Sequence, residues 1–215
     1  MKNNTTELVF ILDRSGSMSG LEGDTIGGFN ALIKKQCTVP DKCYVTTVLF
    51  DSTVETIHDR IELPEIRPMT EREYSVRGCT ALLDSLGQTI EHIALIHRYA
   101  RPEDVPQNTT FVIMTDGMED ASRQFDLAKV KRMIEHEKQH YGWEFLFLAA
   151  NIDAVGTASR MGIGSDRAVD YYADSCGTAV AYDTVAETVA RARMGCPIEK
   201  GWNARIKEDN ERRQD

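Results

Sequence analysis

Leu8-Val9-Phe10-Ile11-Leu12 runs directly into Asp13-Arg14-Ser15-Gly16-Ser17. Five consecutive apolar residues, rich in branched side chains, suit a strand covered on both faces, as in a parallel sheet. Gly16, Ser17, Ser19 and Gly20 then turn the chain out of the sheet. In an open α/β sheet, ligands gather in the crevice beyond the carboxyl ends of the strands. Asp13, Ser15 and Ser17 therefore arrive together where a ligand would sit. The same residue types also cap helices, and the pentapeptide alone does not separate the two roles.

Two further segments add weight to the ligand-binding role. Phe111-Val112-Ile113-Met114 is a second strand-like run, and it ends in Thr115-Asp116-Gly117, which puts another carboxylate at another strand terminus. Between them, Gly78-Cys79-Thr80 opens a helix whose apolar residues Leu83, Leu86, Ile90 and Ile93 share one face. An ordinary N-cap is the structural alternative for Thr80. Three loops of this kind, in this order, are hard to assign to capping alone.

With these residues in place, the sequence resembles the von Willebrand factor A domain family and its metal-ion-dependent adhesion site. That family carries D-x-S-x-S, then a Thr, then an Asp in a strand-end T-D-G or similar, matched here by Asp13, Ser15, Ser17, Thr80 and Asp116. The resemblance covers roughly residues 7 to 194 and is closest to small, stand-alone, cytoplasmic bacterial members. It implies a Rossmann-like fold with a mostly parallel central sheet, one antiparallel edge hairpin strand and helices on both faces. It also implies a protein-binding role in which the metal bridges to a partner's Asp or Glu, in a bacterial stress-response or signalling complex. Cys79 departs from the pattern, since many relatives carry Gly there.

The chemistry of the five positions can be argued separately. Two carboxylates and three hydroxyls are hard oxygen ligands, which suit Mg²⁺, Mn²⁺ or Ca²⁺ and not Zn²⁺ or copper. Mg²⁺ is the expected ion. Hydroxyls are neutral and Mg²⁺ keeps about six ligands, several of them normally water, so the cation stays electrophilic and open to an outside carboxylate.

The remainder reads as one α/β domain, residues 7–194, preceded by a polar tail, 1–6, and followed by an amphipathic charged extension, 195–215. A helix is expected over 21–37, weakened at Gly27-Gly28, then a hairpin of Tyr44 to Phe50 with Thr53 to His58, and a loop over 60–79. Further on come helices near 126–140, after Asp153 and over 176–194, with strands at Glu144 to Ala149 and Ala168 to Tyr171. In the extension, Pro197 suits a first helical turn, and Ile198, Trp202 and Ile206 form a stripe that either packs on its own domain or docks a partner.

Rival chemistries have weaker support. His136-Glu137-Lys138-Gln139-His140 matches the H-E-x-x-H spacing of zinc proteases, but its helix end falls at the opposite sheet edge from Asp13, with no third ligand soon after. A Mg²⁺-dependent phosphohydrolase using Asp13 would need an acid/base two residues on, and Ser15 stands there. Neither glycine-rich nucleotide motif occurs. The expectation is a binding module without catalysis.

Charge and cysteines bound the setting. With 34 acidic against 25 basic residues and a net charge of −9, the chain has no basic excess for a phosphate backbone, so nucleic acid is not expected. Glu22, Asp24, Glu119 and Asp120 lie near the five positions in sequence, as a possible acidic rim with Arg14 as an offset, or as plain solvated surface. Five cysteines without C-x-x-C spacing, no apolar leader and no run long enough to span a membrane together point to the cytoplasm. The sequence names neither the partner nor the oligomeric state.

Overall fold

The computed structural model describes residues 4–213; Met1 to Asn3 of the expected tail and the last two residues of the expected extension lie outside them. Strand β1, Thr6–Asp13, is buried at every position and sits in the middle of a six-stranded sheet. On one side it pairs in parallel with β2, Cys43–Phe50, and on the other with β4, Asn108–Thr115; β3, Val54–Glu62, runs antiparallel to β2 at the edge. Beyond β4 come β5, Glu144–Ala149, and the short β6, Ala168–Asp170, both parallel. The order β3-β2-β1-β4-β5-β6 reverses direction between β1 and β4. A crevice opens at such a switch point, beyond the carboxyl ends of the two strands, and Asp13 and Thr115 are those ends.

Alternate residues of the strands feed two cores. Leu8, Phe10 and Leu12 face α1, Glu22–Gln36, and α5, Ser175–Arg193; Val9 and Ile11 face α2, Leu82–Tyr99, and α3, Leu127–Tyr141, with α4, Ala154–Arg160, on the same side. Asp126, Asp153 and Asp174 each cap the following helix, accepting from Lys129 N, Gly156 N and Gly177 N. Leu86, Ile90 and Ile93 are buried as the helical period predicts, while Leu83 is half-buried. Thr5 and Thr6, which fall in the expected tail, are buried, and Thr6 is the first residue of the central strand β1.

Helix α1 runs unbroken through Gly27-Gly28. Gly28 is the point where α1 meets α5: a methyl there would lie 2.5 Å from the ring of buried Tyr182. Neither backbone nor ring has room to yield in a packed core, so Gly28→Ala is expected to cost about 1–3 kcal/mol through overpacking, measurable as a shifted urea midpoint with unchanged slope.

The carboxyl-terminal segment docks at home. Ile198 and Ile206 are buried and Trp202 is half-buried, with the Trp202 indole N–H donating to Asp166 O at 2.9 Å. Pro197 does not begin a helix: the chain turns through Gly201 and Asn203, and only α6, Ala204–Arg212, is helical. Asn203 Nδ2 donates to Ala168 O (3.2 Å) and Asn210 Nδ2 to Asp170 O (2.7 Å), along β6. Among the described residues no helix is long and apolar enough to cross a membrane, and all five cysteines are free.

Candidate metal centre

The register sets the site. Leu12 is level with Met114, so Asp13 at the end of β1 lies beside Thr115 at the end of β4, and Asp116 follows at once. Asp13 Oδ1 accepts from Ser15 N at 2.7 Å, and Oδ2 accepts from Thr115 Oγ1 at 2.5 Å. These bonds fix the carboxylate and fold the D-x-S-x-S loop back over it. Ser15 Oγ and Ser17 Oγ are 3.1 Å apart, and Ser17 Oγ donates to Asp116 Oδ1 at 2.5 Å. Thr80 closes the group from a third loop: a methyl on Gly117 would lie 2.7 Å from Thr80 Oγ1 and 3.3 Å from Ser17 Oγ. All five residues predicted from the sequence therefore converge.

The capping roles that compete with this arrangement are not used. The residue before α1 is Leu21, without a side-chain cap, and Ser15 precedes a 3₁₀ turn, Gly16–Met18, without donating or accepting as its cap. The N-cap of α2 is Ala81, not Thr80, leaving the Thr80 hydroxyl outside any helix cap.

Electrostatically the site is short of positive charge. Asp13, Ser15, Thr80 and Asp116 are all buried, and Asp116 Oδ2 has no hydrogen-bond partner among the described residues. Burial pushes the Asp13 carboxyl up, with hydrogen bonds from Thr115 and Ser15 pulling against it. Burial also raises Asp116, opposed by the Ser17 hydrogen bond and reinforced by the charge of Asp13. Two desolvated carboxylates facing each other cost stability unless a cation lies between them.

Arg14 is not that cation, nor does it offset an acidic rim. It is buried and faces away, with Nε on Asp51 Oδ2 (2.8 Å), Nη2 on Glu55 Oε2 (2.7 Å) and Nη1 on Glu73 O (3.3 Å). Burial alone would raise Asp51, but hydrogen bonds from Arg77, Thr53 and Arg14 more than offset it and hold its carboxyl low. This clip ties the β2–β3 turn to the loop carrying Thr80: Ala81 N donates to Asp51 O (2.8 Å), Arg77 N to Arg14 O (2.9 Å), Gly16 N to Gly78 O (3.1 Å) and Cys79 N to Ser52 Oγ (2.9 Å).

The nearby acids have local work. Asp120 Oδ1 accepts from Thr80 N at 2.7 Å, Glu119 binds Leu83 N and Ser122, Glu22 accepts from Gly20 N, and Asp24 from Ser175 Oγ. They hold loops in place and are not a loose acidic rim. Tyr74, which no sequence motif marks, is buried and donates its hydroxyl to Asp13 O at 2.5 Å.

The mouth is open. Gly16, Ser17, Gly78 and Cys79 are exposed around it, and Met118, two residues after Asp116, is 73 % exposed. The donor set of neutral hydroxyls and two carboxylates fits a hard divalent ion, and the unpartnered Asp116 Oδ2 is an oxygen such an ion would satisfy directly or through water. H-E-x-x-H offers no competing centre: His140 Nδ1 donates to His136 O (3.0 Å), and among the described residues no three His, Cys, Asp or Glu side chains are grouped to hold a metal.

No protein-family profile matches the chain, and no curated protein matches it. Solved structures do. A von Willebrand factor type A structure from Catenulispora acidiphila aligns with a TM-score of 0.57 at 13 % identity, over 86 % of this chain and 42 % of that one. The fold is of the von Willebrand A type. A point mutant of the PilB minor pilin from Streptococcus sanguinis aligns with a TM-score of 0.59 at 12 % identity, over 87 % of this chain and 62 % of that one. Proximal thread matrix protein 1 from the mussel byssus, with a zinc-occupied MIDAS motif, aligns with a TM-score of 0.56 at 12 % identity, over 86 % of this chain and 46 % of that one. The chain thus spans between two fifths and two thirds of the length of these structures. The likeness is one of fold; the mussel protein holds zinc at its own MIDAS motif.

Proposed function

We propose that this chain is a divalent-cation-dependent protein-binding module in which Asp13, Ser15, Ser17, Thr80 and Asp116 hold a Mg²⁺. The observation that carries this reading is the pair of buried carboxylates, Asp13 and Asp116, with no basic side chain among the described residues turned toward them and with Asp116 Oδ2 unpartnered. Bound there, the ion would offer a partly open coordination shell to an outside carboxylate. This chain's residues orient and desolvate the ion, and the exposed mouth at Ser17, Cys79 and Met118 admits an Asp or Glu of another protein. A charged contact gains strength in such a partly desolvated crevice.

No catalysis belongs to this reading, because Ser15 supplies no acid/base group where a phosphohydrolase would need one. Five free thiols suit a reducing compartment, and a bacterial cytoplasmic stress-response or signalling complex is the setting we propose.

The test is retention of a partner from the native cell in Mg²⁺. Release by EDTA and loss with Asp13→Ala are expected, whereas retention indifferent to both overturns the proposal. Turnover of phosphate esters in Mg²⁺, abolished by Asp13→Asn, would replace the module with an enzyme.

A further inference from the structure

A second site lies at the other end of the sheet and is independent of the metal centre. Between the carboxyl-terminal halves of α2 and α3, beside the start of β5, is a cavity of about 730 Å³, within the roughly 300–1,000 Å³ typical of small-molecule sites. Trp143 forms one wall. It is 4 % exposed, stacked on Phe111 with centroids 5.3 Å apart and met edge-on by His97 at 5.4 Å. Leu95 and Tyr141 line the cavity while keeping more than half of their surface exposed, and Ala94 leaves the space between the helices open.

The charge inside is unspent. Glu137 lines the cavity and is 7 % exposed, yet its carboxylate makes no hydrogen bond or ion pair with any described residue. Burial raises its carboxyl, and the nearby His136, His97 and His140 only partly counter this. The other charges are engaged or outside. His97 Nε2 is 3.2 Å from Glu7 Oε2, Glu91 pairs with Lys129 at 3.1 Å, and exposed Arg98 lies 6.0 Å from the Tyr99 ring centroid. A buried carboxylate without a partner is costly. Beside aromatic faces it is suited to a cation, which gains both a charge-assisted hydrogen bond and cation–π contact.

We propose that this cavity binds a small organic cation, a primary amine or guanidinium on an apolar body, with Glu137 as its counter-ion and Trp143 and Tyr141 as its walls. The ammonium or guanidinium head takes the Glu137 carboxylate, and the body lies along Leu95 and the gap left by Ala94.

The test follows Trp143 fluorescence during titration with phenethylamine, with agmatine as the guanidinium probe and 2-phenylethanol as the neutral analogue. Saturable binding of the amine is expected, about tenfold or more tighter than the alcohol. Glu137→Gln removes that preference while its melting temperature holds or rises, and Ala94→Phe, which fills the gap, removes binding altogether. Equal affinity for amine and alcohol in the wild-type chain overturns the proposal. So does undiminished amine binding in folded Glu137→Gln, or no saturable binding of either cationic probe.

Discussion

Mg²⁺ or Mn²⁺ at a hundredfold excess over its dissociation constant is expected to stabilise the wild-type fold by about 2.7 kcal/mol, a rise in melting temperature of about 5–10 °C for a chain of this size. In Asp13→Asn that rise is expected to vanish. The sign of the metal-free effect is opposite. Burial raises the folded-state carboxyls of Asp13 and Asp116 above their unfolded values, so the ionised pair opposes folding. The metal-free protein then loses stability as pH climbs from below 3.8, the ordinary value, through the folded-state values. Asp13→Asn removes one of the two charges at neutral pH. It keeps the Oδ1 acceptor for Ser15 N, and the Thr115 hydroxyl, free to rotate, can accept from the new amide. The mutant should therefore melt at or above the metal-free wild type. Calorimetry showing the same Mg²⁺ affinity in both proteins would refute the assignment of Asp13.

Gly117→Ala tests the cradle without altering any charge. The added methyl would come within 2.7 Å of Thr80 Oγ1 and 3.3 Å of Ser17 Oγ, so it must displace the two hydroxyls assigned to the ion. Loss of cation affinity by about a hundredfold is expected, equivalent to about 2.7 kcal/mol, against a loss of about 1 kcal/mol or less in metal-free stability because the mouth is open. Gly16→Ala is the matched control: its methyl would meet only Gly78 O, at an ordinary 3.4 Å. Equal cation binding by Gly117→Ala and wild type, read by isothermal calorimetry, would show that Thr80 and Ser17 do not define the site.

Much of this was legible because strand ends carry their own punctuation. The apolar runs before Asp13 and Asp116 give β1 and β4 directly, and a parallel sheet brings their carboxyl ends together. Thr80 was legible only as a member of a known pattern; its position depends on Asp51 and Asp120, which bind Ala81 N and Thr80 N from tens of residues away, and on Arg77, which ties the same loop to Asp51. Arg14 shows why. Its place in the D-R-S-G-S loop suggests solvent, but side chains alternate between the two faces of an extended strand, and Arg14, one step past Asp13, turns to the opposite side and into Asp51 and Glu55. The segment after Pro197 misled for a different reason. A four-residue apolar spacing is satisfied equally by a helix and by a turn followed by a helix, and the turn won because Trp202 and Asn203 find backbone carbonyls beside β6. Glu137 carries no sign in sequence that it is largely buried at the wall of a cavity without a partner.

The asparagine contacts of the final segment bear on where this domain stops. A short outer strand with free carbonyls invites a strand from another chain, and Asn203 and Asn210 occupy the carbonyls of Ala168 and Asp170 instead. A boundary drawn at residue 194 would strip that cover and expose the part of the core against which Ile198 and Ile206 are buried. The folding unit therefore extends through α6, and any shortened version made for crystallisation or fusion should retain it or be watched for sheet-to-sheet aggregation.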